Sequence, residues 1–198
     1  MSRLPRQTVL GLVLSGLAFA ALGSSLSAQE FSSANRQVGR AAVEFHDADI
    51  QVVAAYYHSQ RNHESRWLMI ETGISTDDLD TIHRNDISLR TPQGREIPLA
   101  TQRRVGEDVK RIEQLLQNAK VVSHNVASYF PQRDYAESMR LFTLPFGPVV
   151  HDDFVVDRHR VAVGPLFFEA PTGAWEDGTY ALIVRHGKGA AELPIRLE

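Results

Sequence analysis

The chain has 198 residues, of which 43% are apolar, with a formal net charge of −3 at pH 7 and no cysteine. Nucleic-acid binding is disfavoured, because neutralising a phosphate backbone requires a basic surface. Disulfides and thiol nucleophiles are excluded, so a folded domain must depend on packing of apolar side chains.

The first 28 residues have the pattern of a secretory signal peptide. Arg3 and Arg6 precede an uncharged apolar segment at 9–22, and small residues follow up to Ala28. The apolar segment is shorter than the roughly 20 residues that cross a bilayer. We therefore expect cleavage after Ala28 and no transmembrane segment afterwards; a cut a few residues earlier and an uncleaved anchor are the alternatives.

Cleavage after Ala28 leaves one domain's length of chain, and that remainder is acidic. Residues 1–28 contain two of the 21 basic residues and none of the 24 acidic ones, so 19 basic and 24 acidic residues remain, a net charge of −5. Export without cysteine suits a periplasm better than a eukaryotic secretory route. We expect a periplasmic or extracellular protein.

The polar segment 29–40 follows neither apolar period, and we interpret it as a flexible tether to a single domain at 41–198. Alternating apolar residues predict strands at 41–46 and 50–58. The segment 66–74 contains a run of five residues that is apolar at nearly every position, which predicts a central strand covered at least in part on both faces.

The middle of the chain changes from strand periodicity to helix periodicity. Residues 77–85 are acidic and polar, and predict a loop or a single helical turn. Alternation at 87–99, interrupted by a proline-containing turn, is typical of a hairpin. Apolar residues then recur at helical spacing over 107–119, so we predict an amphipathic helix inside an insertion at about 103–134.

The last third is predicted to return to β-structure. The segment 138–144 alternates as a strand does, and 157–160 has the composition of a tight hairpin turn between strands at 154–156 and 161–163. The end of the chain, 175–197, contains two alternating runs joined by glycines. It predicts a β-hairpin that closes the core.

The segment Asp-Gly-Thr-Tyr-Ala-Leu at 177–182 resembles the start of strand F in immunoglobulin-like and fibronectin type III-like β-sandwiches. In such domains the tyrosine hydroxyl bonds to backbone upstream. The resemblance implies that Tyr180 fixes this corner, that Leu182 enters the core, and that Trp67 is the strand C tryptophan facing Tyr180 across the core. The implied fold is mostly β, an immunoglobulin-like antiparallel β-sandwich with an inserted amphipathic α-helix.

Histidine and aspartate residues provide the candidate chemistry. His151, Asp153 and His159 are ligand types for zinc or another divalent ion, and they suit a divalent-metal-binding protein or a metal-dependent hydrolase. They lack a recognised spacing such as His-Glu-Xaa-Xaa-His, and no Gly-Xaa-Ser-Xaa-Gly nucleophile motif is present. We interpret these residues as parts of polar turns, and we predict no catalytic residue and no cofactor.

Aromatic side chains suggest a different activity, contact with a partner. Most aromatic residues in a domain of this size belong to the core, but an exposed group marks an interaction site. The candidates are Tyr56, Tyr57, Phe130, Tyr135, Phe142 and Phe146. The favoured hypothesis is a non-enzymatic module that binds another protein or a component of the cell envelope; the alternatives are the metal-dependent protein and a carrier of a small ligand in a closed barrel.

Overall fold

The structure is a computed structural model that describes residues 32–62, 66–122 and 125–198. The predicted signal peptide and its cleavage site lie outside these residues. The described chain is mostly β, as predicted. None of its helices is long and apolar enough to cross a membrane.

The strands and helices are numbered in chain order. The strands are β1 (Asn35–Gly39), β2 (Ala42–His46), β3 (Ile50–Ala55), β4 (Trp67–Thr76), β5 (Asp80–His83), β6 (Ile87–Arg90), β7 (Glu96–Pro98), β8 (Tyr135–Ser138), β9 (Asp153–Val156), β10 (Arg160–Glu169), β11 (Gly178–His186) and β12 (Gly189–Leu197). The helices are α1 (Tyr57–Arg61), α2 (Gln102–Glu107) and α3 (Val109–Lys120), with 3-10 turns at Arg84–Asp86 and Val126–Tyr129.

Two large sheets share one core. The six-stranded sheet has the order β1-β2-β3-β4-β10-β8, and the four-stranded sheet has the order β12-β11-β6-β7. Side chains from both sheets, such as Ile70 and Leu166 from the first and Leu89 and Leu182 from the second, belong to one buried cluster. Strands β5 and β9 form a separate pair. Both large sheets end in unpaired edge strands, so the described strands do not form a closed barrel.

The helical insertion covers the outer face of the six-stranded sheet. Trp67 and Phe167 from β4 and β10 pack against Ile112 and Leu115 of α3. Further along the same face, the 3-10 turn at Val126–Tyr129 and Phe130 cover β3. The central strands β3, β4 and β10 therefore have buried side chains on both faces, which explains the unbroken apolar run from Trp67 to Ile70 at the start of β4.

Several predicted elements are confirmed, and they are those with the strongest local pattern. Strands β11 and β12 form the closing hairpin, in register from Gly178 with Leu197 to His186 with Gly189. Strands β6 and β7 form the second predicted hairpin, and α3 is the predicted amphipathic helix.

The prediction of a flexible tether at 29–40 is wrong for the end of that segment, because Asn35–Gly39 form β1. This strand lies at the edge of the sheet and obtains its ladder from β2, so it requires no apolar face to mark it in the sequence. The strand predicted at 50–58 also ends early, since α1 begins at Tyr57. Likewise, the polar segment 77–85 contains β5 as well as the start of a 3-10 turn.

Two predictions in the last third are wrong. The strand expected at 138–144 ends at Ser138, because Arg140 has a left-handed φ of 50° that turns the chain out of the sheet. The segments on either side of 157–160 do not pair as a hairpin: β9 pairs with β5, while β10 pairs with β4 and β8.

The expected position of Trp67 across the core from Tyr180 is also wrong. Trp67 lies in the outer cluster beneath α3, and its indole Nε1 donates to Asp108 Oδ2 at 2.7 Å. The ring beside Tyr180 is that of Trp175, edge-on at 5.5 Å between centroids. Because both faces of β4 are buried, its apolar run did not reveal on which face the tryptophan lies.

Tyr180 and Leu182 both lie in the inter-sheet core. The Tyr180 hydroxyl donates to the carbonyl oxygen of Glu176 at 3.0 Å and accepts from the N–H of the same residue at 3.3 Å. This bond fixes the chain immediately before β11. It is the contact that the resemblance implies for a corner tyrosine.

Candidate interaction site

Residues 144–149, with the sequence Leu-Pro-Phe-Gly-Pro-Val, form an exposed segment that we call the apolar loop. Residues 145–149 are all exposed, and the side chain of Phe146 is exposed over its entire surface. The loop lies within an uncharged stretch of ten residues, 141–150, in a chain of which 23% of residues are charged. An aromatic side chain is thus presented to solvent without charged neighbours in sequence.

The tip of the apolar loop is a tight turn. The N–H of Gly147 donates to the carbonyl oxygen of Leu144 at 2.9 Å, and Pro145 occupies the second position of the turn. Phe146 occupies the third position with a φ of 66°, in the left-handed region. That position normally takes glycine or asparagine, and for another residue it costs about 1–2 kcal/mol.

The base of the apolar loop is held by a side-chain amide from α2. Gln102 Nε2 donates to the carbonyl oxygen of Thr143 at 2.9 Å, and Gln102 Oε1 accepts from the N–H of Thr143 at 3.0 Å. The amide therefore pairs with Thr143 as a neighbouring strand would. A Cβ at Gly147 would lie 2.0 Å from Thr143 Oγ1, so glycine is required where the turn folds back on this base.

One buried arginine joins the two ends of the segment that contains the loop. Arg84 Nη2 donates to the carbonyl oxygen of Leu141, and its Nε donates to Asp152 Oδ1 at 3.2 Å. Its third contact, from Nη1 to the carbonyl oxygen of Ala100 at 2.7 Å, anchors the guanidinium at the end of β7. These charge-assisted hydrogen bonds fix where the chain leaves and re-enters the fold.

Phe142 anchors the same segment through packing. Its ring lies edge-on to Phe167 of β10 at 5.1 Å between centroids, and the Arg84 guanidinium lies 4.8 Å from its centroid. The base of the loop is therefore attached to the outer apolar cluster, while its tip projects into solvent. The base of the apolar loop is thus held by packing and hydrogen bonds, and Phe146 lies at its exposed tip.

The structure does not bring the candidate metal ligands together. The Nδ1 of His159 lies 2.7 Å from Asp134 Oδ2, in the turn before β10. Asp153 is paired with His83 instead, at 3.7 Å, while the backbone N–H of His151 donates to Arg140. Within 32–62, 66–122 and 125–198, no group of three or more histidine, aspartate or glutamate residues is arranged to hold a metal ion.

The six aromatic candidates do not form one surface. Tyr56 and Phe130 are buried, Tyr57 and Phe142 are partly buried, and Tyr135 and Phe146 are exposed. Sequence reasoning named Phe146 but missed Gln102 and Arg84, which position its loop. A long uncharged stretch with two prolines was the available signal for an exposed turn, whereas the contacts of Gln102 and Arg84 depend on tertiary structure.

Comparison of the chain with family models, with curated proteins and with solved structures gives no match.

Proposed function

We propose that this protein is an exported, periplasmic or extracellular, non-enzymatic module with an immunoglobulin-like β-sandwich, and that it binds another protein through the apolar loop. The fold part of the proposal is supported by the bond from the Tyr180 hydroxyl to Glu176 at the start of β11. The binding part is supported by one observation, the conformation and exposure of Phe146.

The left-handed φ of Phe146 and the exposure of its ring each destabilise the fold. A glycine would adopt its left-handed φ without strain, and a polar residue would remove a large apolar side chain from water. Residues kept in unfavourable backbone conformations are concentrated at binding and catalytic sites. A role in contacting a partner accounts for both costs.

The shape of the apolar loop suits an apolar pocket on a protein. A single aromatic side chain that fills a partner's pocket is a frequent source of binding energy. Because Gln102 and Arg84 already hold the segment, binding would require little further ordering of the loop. The result is a small, preorganised anchor.

Charges around the loop favour a protein over a lipid surface. The residues that flank the uncharged stretch in sequence carry both signs: Arg140 is positive, and Asp152 and Asp153 are negative. Adsorption to an anionic bilayer relies on clustered basic residues, each contributing about 1 kcal/mol. Such a cluster is lacking beside the described loop.

The proposal is tested with Phe146→Gly, which removes the aromatic ring and relieves the backbone strain. We expect this variant to be at least as stable as the wild type, yet to capture its partner from an envelope extract at least tenfold less well. The comparison is made by quantitative mass spectrometry of protein recovered on the immobilised, exported protein.

Val121→Ser provides the matched control, because Val121 is an exposed apolar residue at the end of α3. The control should capture the same partner as the wild type. Undiminished capture by Phe146→Gly would refute the assignment of the loop, and a clearly lower melting temperature for that variant would refute the strain argument.

A further inference from the structure

A cleft of about 770 Å³ lies among α1, α3 and the segments where β4 begins and β10 ends. Its volume is within the range of roughly 300–1,000 Å³ that is typical of sites for small molecules. The lining side chains that matter here are Arg66, Arg111, Gln114, Leu115, Asn118 and Pro171. The wall thus combines hydrogen-bond donors with the apolar side chains of Leu115 and Pro171.

Helix α3 places three polar groups on one stripe of this wall. Arg111, Gln114 and Asn118 follow each other at intervals of three and four residues, the spacing that puts side chains above one another on a helix. Leu115 lies beside them on the same wall. A ligand along this stripe would meet one guanidinium, two amides and an apolar contact.

The negative charge of the cleft is already neutralised. Glu169 accepts from Arg66 Nε at 2.6 Å and from Arg104 Nε and Nη2 at 2.7 and 2.8 Å. These bonds, those from Arg104 above all, lower the pKa of Glu169 to about 2, so two guanidiniums share one permanent carboxylate. Among the described lining residues Glu169 is the only acid, so the cleft has a net positive charge.

Arg111 is the cation that remains available to a ligand. Its side chain is 55% exposed, and its nearest carboxylate oxygen, Asp108 Oδ2, lies 3.8 Å away, beyond hydrogen-bond distance. That oxygen instead accepts from the Trp67 indole at 2.7 Å. In the described part of the chain, no group occupies the guanidinium donors of Arg111.

We propose that this cleft binds a small organic carboxylate. The planar guanidinium of Arg111 would pair with the two carboxylate oxygens, the amides of Gln114 and Asn118 would bond polar substituents, and the apolar body would contact Leu115 and Pro171. This inference is independent of the binding proposed for the apolar loop.

A singly charged ligand fits the cleft better than a phosphate. Burial lowers the pKa of His58, another lining residue, so its ring is neutral at pH 7 and adds no second charge. With Arg66 engaged by Glu169, Arg111 is, among the described lining residues, the guanidinium without a hydrogen-bonded carboxylate. A phosphate group carries about two charges near pH 7 and calls for more donors than this.

The test uses the purified exported protein with sodium hexanoate, its neutral isostere hexanamide, and inorganic phosphate at constant ionic strength. Isothermal titration calorimetry and thermal melting should show saturable binding of hexanoate, with hexanamide at least tenfold weaker and phosphate without effect. No saturable binding of hexanoate would overturn the proposal. Equal binding of hexanamide, or stronger binding of phosphate, would overturn it as well.

Two arginine variants locate the binding. Arg111→Gln removes the charge but retains a polar side chain of good helix propensity, and it should weaken hexanoate binding at least tenfold; Arg111→Lys should recover part of the loss. Arg103→Gln makes the same charge change on α2, where the side chain is 89% exposed and outside the cleft. It should bind as the wild type does, and equal effects of the two glutamine variants would refute a specific site.

Discussion

Replacing Tyr180 by phenylalanine tests how the corner before β11 is held. The substitution retains the buried ring and its edge-on contact with Trp175, but removes the hydroxyl that bonds to both backbone groups of Glu176. Tyr180 is 3% exposed, whereas its partner Glu176 is exposed, so the two hydrogen bonds between them are partly buried. The change thus isolates the hydrogen bonds from the packing.

The expected cost follows from what the hydroxyl leaves behind. A buried polar group that loses its partner costs about 1–3 kcal/mol. Glu176 is itself exposed, so water can rehydrate its backbone in part, and we expect the lower end of that range, about 1–2 kcal/mol. For a domain of this size, 1 kcal/mol lowers the melting temperature by about 2–4 °C.

The assay is urea denaturation at pH 7, with Tyr135→Phe as the matched control. Tyr135 is 49% exposed, and its hydroxyl accepts a hydrogen bond from Arg160 Nη2 at 3.2 Å. Its loss should change the free energy of unfolding by less than about 0.5 kcal/mol, as is usual for surface substitutions. Equal effects of the two variants, at unchanged denaturant slope, would refute the role of Tyr180 in fixing the corner.

Two further predictions concern packing and pH. Gly73→Ala places a Cβ 2.6 Å from the buried ring of Phe130, and the overpacking should lower the free energy of unfolding by about 1–3 kcal/mol. Gly106→Ala lies in α2 with open space around it and should raise the free energy of unfolding by about 0.5–1 kcal/mol. Equal stabilities of the two variants in chemical denaturation would contradict this prediction. The pKa of Glu169 lies below its usual value of 4.5, at about 2, chiefly because of Arg104, so its ion pairs stabilise the fold above pH 4.5 and are lost as the pH falls towards 2. Glu169→Gln should therefore lose less stability than the wild type between pH 4.5 and pH 2. If the urea midpoints of the two proteins fall by the same amount over this pH range, the ion pairs of Glu169 do not stabilise the fold as proposed.

The parts of the fold that were predictable from sequence are those with a local cause. The closing hairpin follows from alternation and glycines, and α3 follows from its apolar period. The face on which Trp67 lies was not predictable, because a run of apolar residues on a strand buried on both faces does not indicate which residue faces which layer. Edge strand β1 was also not predictable from the sequence, because its hydrogen bonds come from β2 and its side chains show no apolar alternation.

The candidate sites were harder to predict than the fold. Phe146 was one aromatic among six, and its left-handed φ depends on the turn and the contacts of Gln102 and Arg84, which join segments distant in sequence. The cleft combines α3 with residues near the ends of β4 and β10, so its donors converge only in three dimensions. The adjacent histidine and aspartate residues were interpreted as polar turns, and in the described part of the chain they are not arranged as a group of three or more that could hold a metal ion.

The pairing of β4 with β10 joins segments that are distant in the chain. Trp67 pairs with Glu169, and the adjoining bond from Arg66 to Glu169 spans 103 residues of chain. Strands β1 to β4 are consecutive neighbours and can assemble early, but until β10 has been made, β4 presents an unsatisfied edge. Pairings of such long range slow folding, and an open edge invites association with other chains. We therefore expect newly made chains, in which β10 has not yet paired with β4, to aggregate more readily than the folded domain.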